Sequence, residues 1–197
     1  MLKKLSLTIF LVSTLSITYA QKPSKDSTLV ALHKNPILLS EKLIDFANNH
    51  LHIRYRSGGT KPTGFDCSGF VRFCFSNFGI ALPHSSASQG TLGASIPKAA
   101  ALPGDLIFFK GHNASSHSIG HVGIITEVSE KGIKFIHSAW GGGIRYDVAE
   151  EGYYSKRFMA IKRVIGMLDF VNIAKTESEV VKKAFRKFRN KRRRDRR

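Results

Sequence analysis

The spacing of apolar residues changes once along the chain, and this change limits the folds that the sequence can adopt. Phe70, Phe73, Cys74 and Phe78 recur at helical spacing, and Gly79 follows where a helix commonly ends. From residue 104 onward, the apolar segments are short, rich in β-branched or aromatic residues, and bounded by Gly, Pro or Ser. These segments are residues 106–109, 121–128, 133–139 and 158–164. Helices followed by strands, without repeated βαβ alternation, predict an α+β fold in which N-terminal helices pack on an antiparallel β-sheet.

A chain of 197 residues can bury one hydrophobic core of ordinary size, so we expect a single catalytic or binding domain. Its expected limits are residues 36–166, after a polar segment at residues 21–35 that shows no pattern. A first helix is predicted over about residues 38–50, with Ser40 as its N-cap next to Glu41.

Residues 1–20 have the composition of a secretory signal peptide. Two lysines precede an apolar stretch, and Ala20 stands at the expected cleavage position before Gln21. The alternative is an uncleaved membrane anchor, but the stretch is shorter than the roughly 20 residues that a span needs and is interrupted by Ser and Thr. We therefore expect an exported protein, periplasmic or secreted.

The formal net charge of +17 is concentrated in a basic C-terminal tail, residues 167–197. Eleven Lys and Arg between Lys182 and Arg197 face one acidic residue there, and the pattern over residues 175–190 is that of an amphipathic helix. Outside the cytoplasm we expect this tail to bind an anionic envelope surface, which would make the protein peripheral at the envelope. The alternative is a solvated tail without a partner. Nucleic acid is not an expected partner of an exported chain whose remaining residues are only mildly basic.

Cys67 stands at the start of the second predicted helix, where Asp66 is well placed as the N-cap. The start of a helix lowers the pKa of a thiol and stabilises an anion, so this position suits a nucleophile. The alternative is that Cys67 is a small buried apolar residue, which is the commoner fate of a free cysteine. Cys74 is too far along the same helix for a disulfide bond with Cys67.

His121 and His137 lie on consecutive predicted strands, separated by a turn at residues 129–132. If this turn is a four-residue loop, Val128 pairs with Ile133 and the two histidines point to opposite faces of the sheet. Both histidines can face Cys67 only if the loop has three or five residues or a β-bulge shifts the register.

Two further histidines, His112 and His117, precede His121 in a Ser-rich connection. The three imidazoles raise the possibility of a metal site, but no Cys or carboxylate accompanies them as in the usual ligand sets. We expect neither a metal nor an organic cofactor.

Six short blocks within residues 53–164 resemble, in order and spacing, the NlpC/P60 family of cell-wall cysteine peptidases. The blocks are residues 55–59, 64–71, 82–86, 103–109, 120–124 and 135–137. The resemblance implies a papain-like fold, with Cys67 as nucleophile, His121 as its general base and His137 as the residue that orients His121.

The same resemblance implies that Tyr55, Asp66 and Ser68 shape the substrate site. A packing tyrosine, a helix cap and a first-turn serine explain these residues equally well. Two positions depart from the family pattern. Ser57 stands where the family usually has an aromatic residue, and His84 stands where Arg often follows Leu-Pro.

The function implied by the resemblance is a cysteine endopeptidase that hydrolyses amide bonds in peptidoglycan stem peptides. The first expectation is the bond between D-γ-glutamate and the diamino acid, and the alternative is the D-Ala–diaminopimelate crosslink. An acyl or lipid transferase on the same fold uses similar residues, but a secretory signal disfavours it. A different class is a non-catalytic envelope-binding module that acts through the basic tail.

Overall fold

The computed structural model describes residues 25–166. The predicted signal peptide and basic tail lie outside the described residues. Within residues 25–166, no helix is both long and apolar enough to cross a membrane.

Five α-helices lie in the described residues. They are α1 (Lys25–His33), α2 (Pro36–Asn48), α3 (Cys67–Ser76), α4 (Ser86–Gln89) and α5 (Gly152–Ser155). The segment at residues 21–35, which shows no sequence pattern, thus contains α1. The helices α2 and α3 correspond to the two predicted helices.

The first predicted helix begins earlier than expected because a different residue caps it. Asn35, not Ser40, is the N-cap: its side chain accepts a hydrogen bond from the Leu38 backbone N–H, and Pro36 follows at the first helical position. Ser40 instead lies inside α2 and donates to the Pro36 carbonyl. Asn and Ser are both favoured N-cap residues, so residue preference alone does not distinguish the two positions.

The main sheet has six strands in the order β3-β8-β4-β5-β6-β7, and every neighbouring pair is antiparallel. Its strands are β3 (Ala94–Ile96), β4 (Leu106–Lys110), β5 (Ile119–Ser129), β6 (Gly132–Ala139), β7 (Gly143–Val148) and β8 (Phe158–Arg163). Two short strands, β1 (Thr60–Lys61) and β2 (Gly64–Phe65), form a separate hairpin before α3. The predicted α+β class, with helices and an antiparallel sheet, is confirmed.

Two strands of the main sheet were not predicted from the sequence, and both lie at its edges. The strand β3 has only three residues, and β7 begins at the last of three consecutive glycines and contains both Arg145 and Asp147. Edge strands tolerate charged residues because one side of the strand faces solvent, so they lack a clear apolar alternation.

The strands β5 and β6 contain the register shift that a shared site for the two histidines requires. Val128 pairs with Ile133, as expected from the turn, but Ile125 pairs with Phe135 and Ile124 with Ile136. Thr126 is the extra residue of a β-bulge between these two registers. The shift by one residue brings His121 and His137 to the same face of the sheet.

The two faces of the sheet bury separate clusters of apolar residues. The larger cluster packs α2 and α3 on the sheet and includes Leu43, Phe70 and Val122. The smaller one covers the other face and includes Phe109, Phe135 and Tyr154. Burial on both faces fixes the strands that hold the two histidines.

Candidate active site

The helix start that holds Cys67 is fixed by Asp66. The Asp66 carboxylate accepts hydrogen bonds from the Gly69 backbone N–H at 2.6 Å and from the Ser68 hydroxyl at 3.0 Å. Its second oxygen lies 3.0 Å from Nε2 of His84. The predicted N-cap is confirmed, and it places the half-buried Cys67 at the first position of α3.

A hydrogen-bonded series runs from His121 through His137 to a carboxylate that was not predicted from the sequence. Nε2 of His121 lies 2.8 Å from Nδ1 of His137, and Nε2 of His137 lies 2.8 Å from Oδ2 of Asp147. Arg145 donates from Nε to the same Asp147 oxygen at 3.0 Å. His137 is fully buried, so its contacts fix the ring in one orientation.

The carboxylate at one end determines where the protons lie in this series. An ionised carboxylate only accepts hydrogen bonds, so Nε2 of His137 carries a proton and donates to Asp147. Nδ1 of the neutral His137 is then an acceptor, and Nε2 of His121 donates to it. The remaining lone pair of His121 is on Nδ1, which is the position that can take a proton from a nucleophile.

The electrostatic surroundings keep both Cys67 and His121 neutral. Burial and, to a smaller extent, the charge of Asp66 raise the pKa of Cys67 to about 11, although backbone hydrogen bonds from Val122 and Ser68 act in the opposite direction. Burial lowers the pKa of His121 to about 3, and the adjacent His137 acts in the same direction, whereas Asp147 opposes it. The expected lowering of the thiol pKa by the helix start is therefore outweighed by desolvation.

Asp147 remains ionised although it is partly buried. Burial alone would raise the pKa of this carboxyl, but the hydrogen bond from His137 and the charge and hydrogen bond of Arg145 together lower it. Burial lowers the pKa of His137, while its hydrogen bond to Asp147 acts in the opposite direction.

A cleft of about 750 Å³ contains Cys67 and His121. Tyr55 lines the same cleft, and burial, followed by Cys67 and Asp66, raises the pKa of its phenol. The other lining residues are Lys110, Gly111, His112, Gly120, Ala139, Trp140, Arg145, Tyr153 and Tyr154. The structure thus places Tyr55 beside Cys67 and His121 in one cavity.

Asp66 and Ser68 are not among the residues that line this cleft. Ser68 is buried and donates a hydrogen bond to Asp66, and both side chains make contacts that stabilise the start of α3. A role in substrate binding for these two residues remains a prediction.

The two histidines of the preceding connection lie apart from any cluster suited to a metal ion. His112 lines the cleft, and both His112 and His117 are exposed. Within residues 25–166, no group of three or more His, Cys, Asp or Glu side chains is placed to hold a metal.

The region that contains this site matches a known protein family. A model of the NlpC/P60 family matches residues 52–163, which is more than half of the chain. The chain belongs to the NlpC/P60 family. The resemblance seen in the six sequence blocks is confirmed. The matched region contains Cys67, His121, His137 and Asp147.

Curated relatives and solved structures support the same assignment. The probable endopeptidase NlpC homolog of Haemophilus influenzae is 33% identical over 138 residues, which are 69% of this chain and 69% of that relative. The murein DD-endopeptidase MepS/murein LD-carboxypeptidase of Escherichia coli K12 is 33% identical over 114 residues, covering 57% of this chain and 56% of the relative. A crystal structure of an NlpC/P60 family protein from Bacillus cereus aligns with a TM-score of 0.58 at 28% identity. That alignment covers 64% of this chain and 40% of the other.

Sequence reasoning missed two residues that contact the histidines of this NlpC/P60 domain. Asp147 lies on the unpredicted strand β7, and Tyr154 lies on the unpredicted helix α5. The Tyr154 ring stacks on His121, and its hydroxyl lies 3.5 Å from Nδ1 of His137. The alternation Arg145-Tyr146-Asp147 was the available signal for β7, because side chains two apart share one face of a strand.

Proposed function

We propose that this NlpC/P60 domain is a cysteine endopeptidase that hydrolyses amide bonds in peptidoglycan stem peptides. The observation that carries the proposal is the hydrogen-bonded series of His121, His137 and Asp147, whose first member, His121, lines one cleft together with Cys67 at a capped helix start. A nucleophile, a base and groups that orient the base are the parts that acyl transfer through a covalent intermediate needs.

The first half of the proposed reaction forms an acyl-enzyme. Because both groups start neutral, Nδ1 of His121 takes the Cys67 proton as the sulfur attacks the amide carbonyl. The imidazolium that forms is stabilised through His137 by the charge of Asp147. It then gives its proton to the amide nitrogen as the C–N bond breaks, which leaves a thioester and a free amine.

The second half releases the acyl group. His121 takes a proton from water, the hydroxide oxygen adds to the thioester carbonyl, and the C–S bond breaks. The proton returns to the sulfur and regenerates the thiol. Backbone N–H groups at the start of α3 are suited to stabilise the oxyanion in both halves, because the helix start leaves them without partners inside the helix.

The proposed bond is the one between D-γ-glutamate and the diamino acid. The second candidate is the D-Ala–diaminopimelate crosslink, which is favoured by the similarity to an enzyme named as a murein DD-endopeptidase. Either substrate lies outside the cytoplasm, so the proposed function also needs the export that residues 1–20 predict.

Mass spectrometry of digested peptidoglycan fragments tests this proposal. Residues 21–197 should release new peptides whose masses identify the bond, and Cys67→Ala should release none. Cys74→Ala is the matched control, since Cys74 is buried in the core and should not affect the products. If a folded wild-type protein releases no peptides from several wall types, the proposal is wrong and the non-catalytic binding module becomes the better hypothesis.

A further inference from the structure

Two basic side chains line the cleft that holds Cys67. Lys110 and Arg145 both line it, and among residues 25–166 no Asp or Glu side chain does. A charged group that faces a partly enclosed cavity loses hydration, and an anion with matching hydrogen-bond geometry compensates for that loss.

Arg145 has donors available for such an anion. Its Nε is held by Asp147, but its two outer nitrogens have no hydrogen-bond partner within the described part of the chain. Gly142 makes room for this side chain, because a Cβ there would lie 2.8 Å from Nη1 of Arg145. The guanidinium is thus held at one edge by Asp147 and keeps the paired donors that match a carboxylate.

Lys110 supplies the second charge. Its Nζ donates one hydrogen bond, to the Ala114 carbonyl at 2.9 Å, and makes no ion pair within residues 25–166. An ammonium has three donors, so two remain available toward the cleft.

Two aromatic side chains complete this part of the cleft. Trp140 is 83% exposed, and Tyr153 is 47% exposed with the Arg157 guanidinium 3.7 Å from its ring centroid. Exposed Trp and Tyr side chains beside a cavity are typical of a surface that binds a ligand, because they bury a large apolar area at little entropic cost.

We propose that Lys110 and Arg145 form a carboxylate-binding subsite, bordered by Trp140, which selects stem peptides with a free carboxylate near the scissile bond. This inference rests on the proposed function and names the chemistry that its substrate must carry. A stem peptide has such carboxylates on either side of the bond, on D-glutamate and on the diamino acid. Amidation of the recognised group removes its charge and weakens binding.

Equilibrium binding to the full chain carrying Cys67→Ala tests the subsite without turnover. The probes are two pairs of synthetic stem peptides, one differing in a free or amidated D-glutamate α-carboxylate and one differing at the diamino acid. In one pair the free form should bind about tenfold more tightly, as expected for a charge-assisted contact. The pair that shows the preference identifies the recognised group.

Variants that remove one charge each test whether Lys110 and Arg145 cause the preference for a free carboxylate. Adding Lys110→Met or Arg145→Gln should reduce the ratio of the two affinities several-fold, whereas Lys42→Met, which removes an exposed charge on α2, should retain it. Because no reaction occurs, any effect of Arg145→Gln on the proposed catalytic role of Asp147 does not enter the measurement. Equal affinities in both pairs, no binding of any peptide, or a preference that survives both cleft variants would overturn the subsite.

Turnover of the same peptides by the wild-type chain separates this inference from the proposed function. Selective binding without cleavage would contradict the endopeptidase and retain the subsite. Cleavage with no preference in either pair would contradict the subsite and retain the endopeptidase.

Discussion

Cys67 retains its proton at neutral pH, because burial and Asp66 raise its pKa to about 11. The thiolate is the form that reacts with alkylating agents. Alkylation by iodoacetamide should therefore be slow at pH 7 and rise toward a midpoint near pH 11, above the 9.0 of an ordinary thiol. Rates measured by mass spectrometry against pH check this, with Cys67→Ala as the control for labelling of the buried Cys74. A midpoint below pH 8 would show instead a thiolate–imidazolium pair in the free protein.

Asp147 is expected to act on the reaction through the two histidines. Its charge raises the pKa of His121 against the effect of burial, so Asp147→Asn leaves a weaker base while keeping the side-chain shape. We expect kcat to fall about ten- to a hundredfold, with KM changed less than about twofold. Asp45→Asn, on the exposed side of α2, is the matched control. An unchanged kcat in a folded Asp147→Asn variant would contradict a role for the charge of Asp147 in strengthening His121 as a base.

The residues of the site differ in how far the sequence could predict them. The position of Cys67 followed from a local signal, a capping Asp before a helical pattern, and the structure confirms that cap. The contact between Asp147 and His137 had no local signal, because it depends on the pairing of β6 with β7. The raised pKa of Cys67 was also not predictable, since it depends on burial by distant parts of the chain.

At the scale of elements, the sequence predicted that a register shift was needed but not where it lies. The two histidines can share a face only if the hairpin loop has an odd number of residues or a strand contains a bulge. The structure places a bulge at Thr126. Bulge positions depend on sheet twist and on packing of both faces, and single residues do not specify these. The edge strands β3 and β7 were missed for a related reason, since they are short or carry charged residues.

The bulge allows a prediction about deleting one residue from β5. With Thr126 deleted, Glu127 still pairs with Lys134 and Ile125 with Phe135, and the ladder becomes regular without moving either histidine to the other face. We therefore expect the deletion to retain the site, with kcat within about tenfold of wild type, as the loss of one bulge changes strand bending only locally. Deletion of both Ile125 and Thr126 is the contrasting variant, because Ile124 then pairs with Phe135, which moves His121 to the face opposite His137 and should abolish activity. A folded Thr126 deletion without activity would show that the bend, and not the register alone, positions His121.

At the scale of the whole molecule, most of the net positive charge lies outside the proposed site. Residues 182–197 carry most of the net positive charge, whereas every element of the proposed site lies between residues 55 and 154. Each basic residue near an anionic surface contributes about 1 kcal/mol, so a few engaged residues strengthen binding by about a hundredfold. This attraction acts over a Debye length of about 10 Å at 0.1 M salt, and it weakens as the salt concentration rises.

Removal of residues 175–197 should therefore weaken sedimentation with anionic vesicles or isolated envelopes at low salt, and should leave cleavage of a small soluble stem peptide unchanged. The comparison is made between chains that begin at the same residue, on vesicles with and without acidic lipid, over a series of salt concentrations. Full-length protein that binds neutral vesicles equally well would indicate insertion of the apolar tail residues and not charge attraction. Equal binding by the truncated and full-length chains would assign the tail no role in attachment, and envelope binding would then have to come from the domain itself.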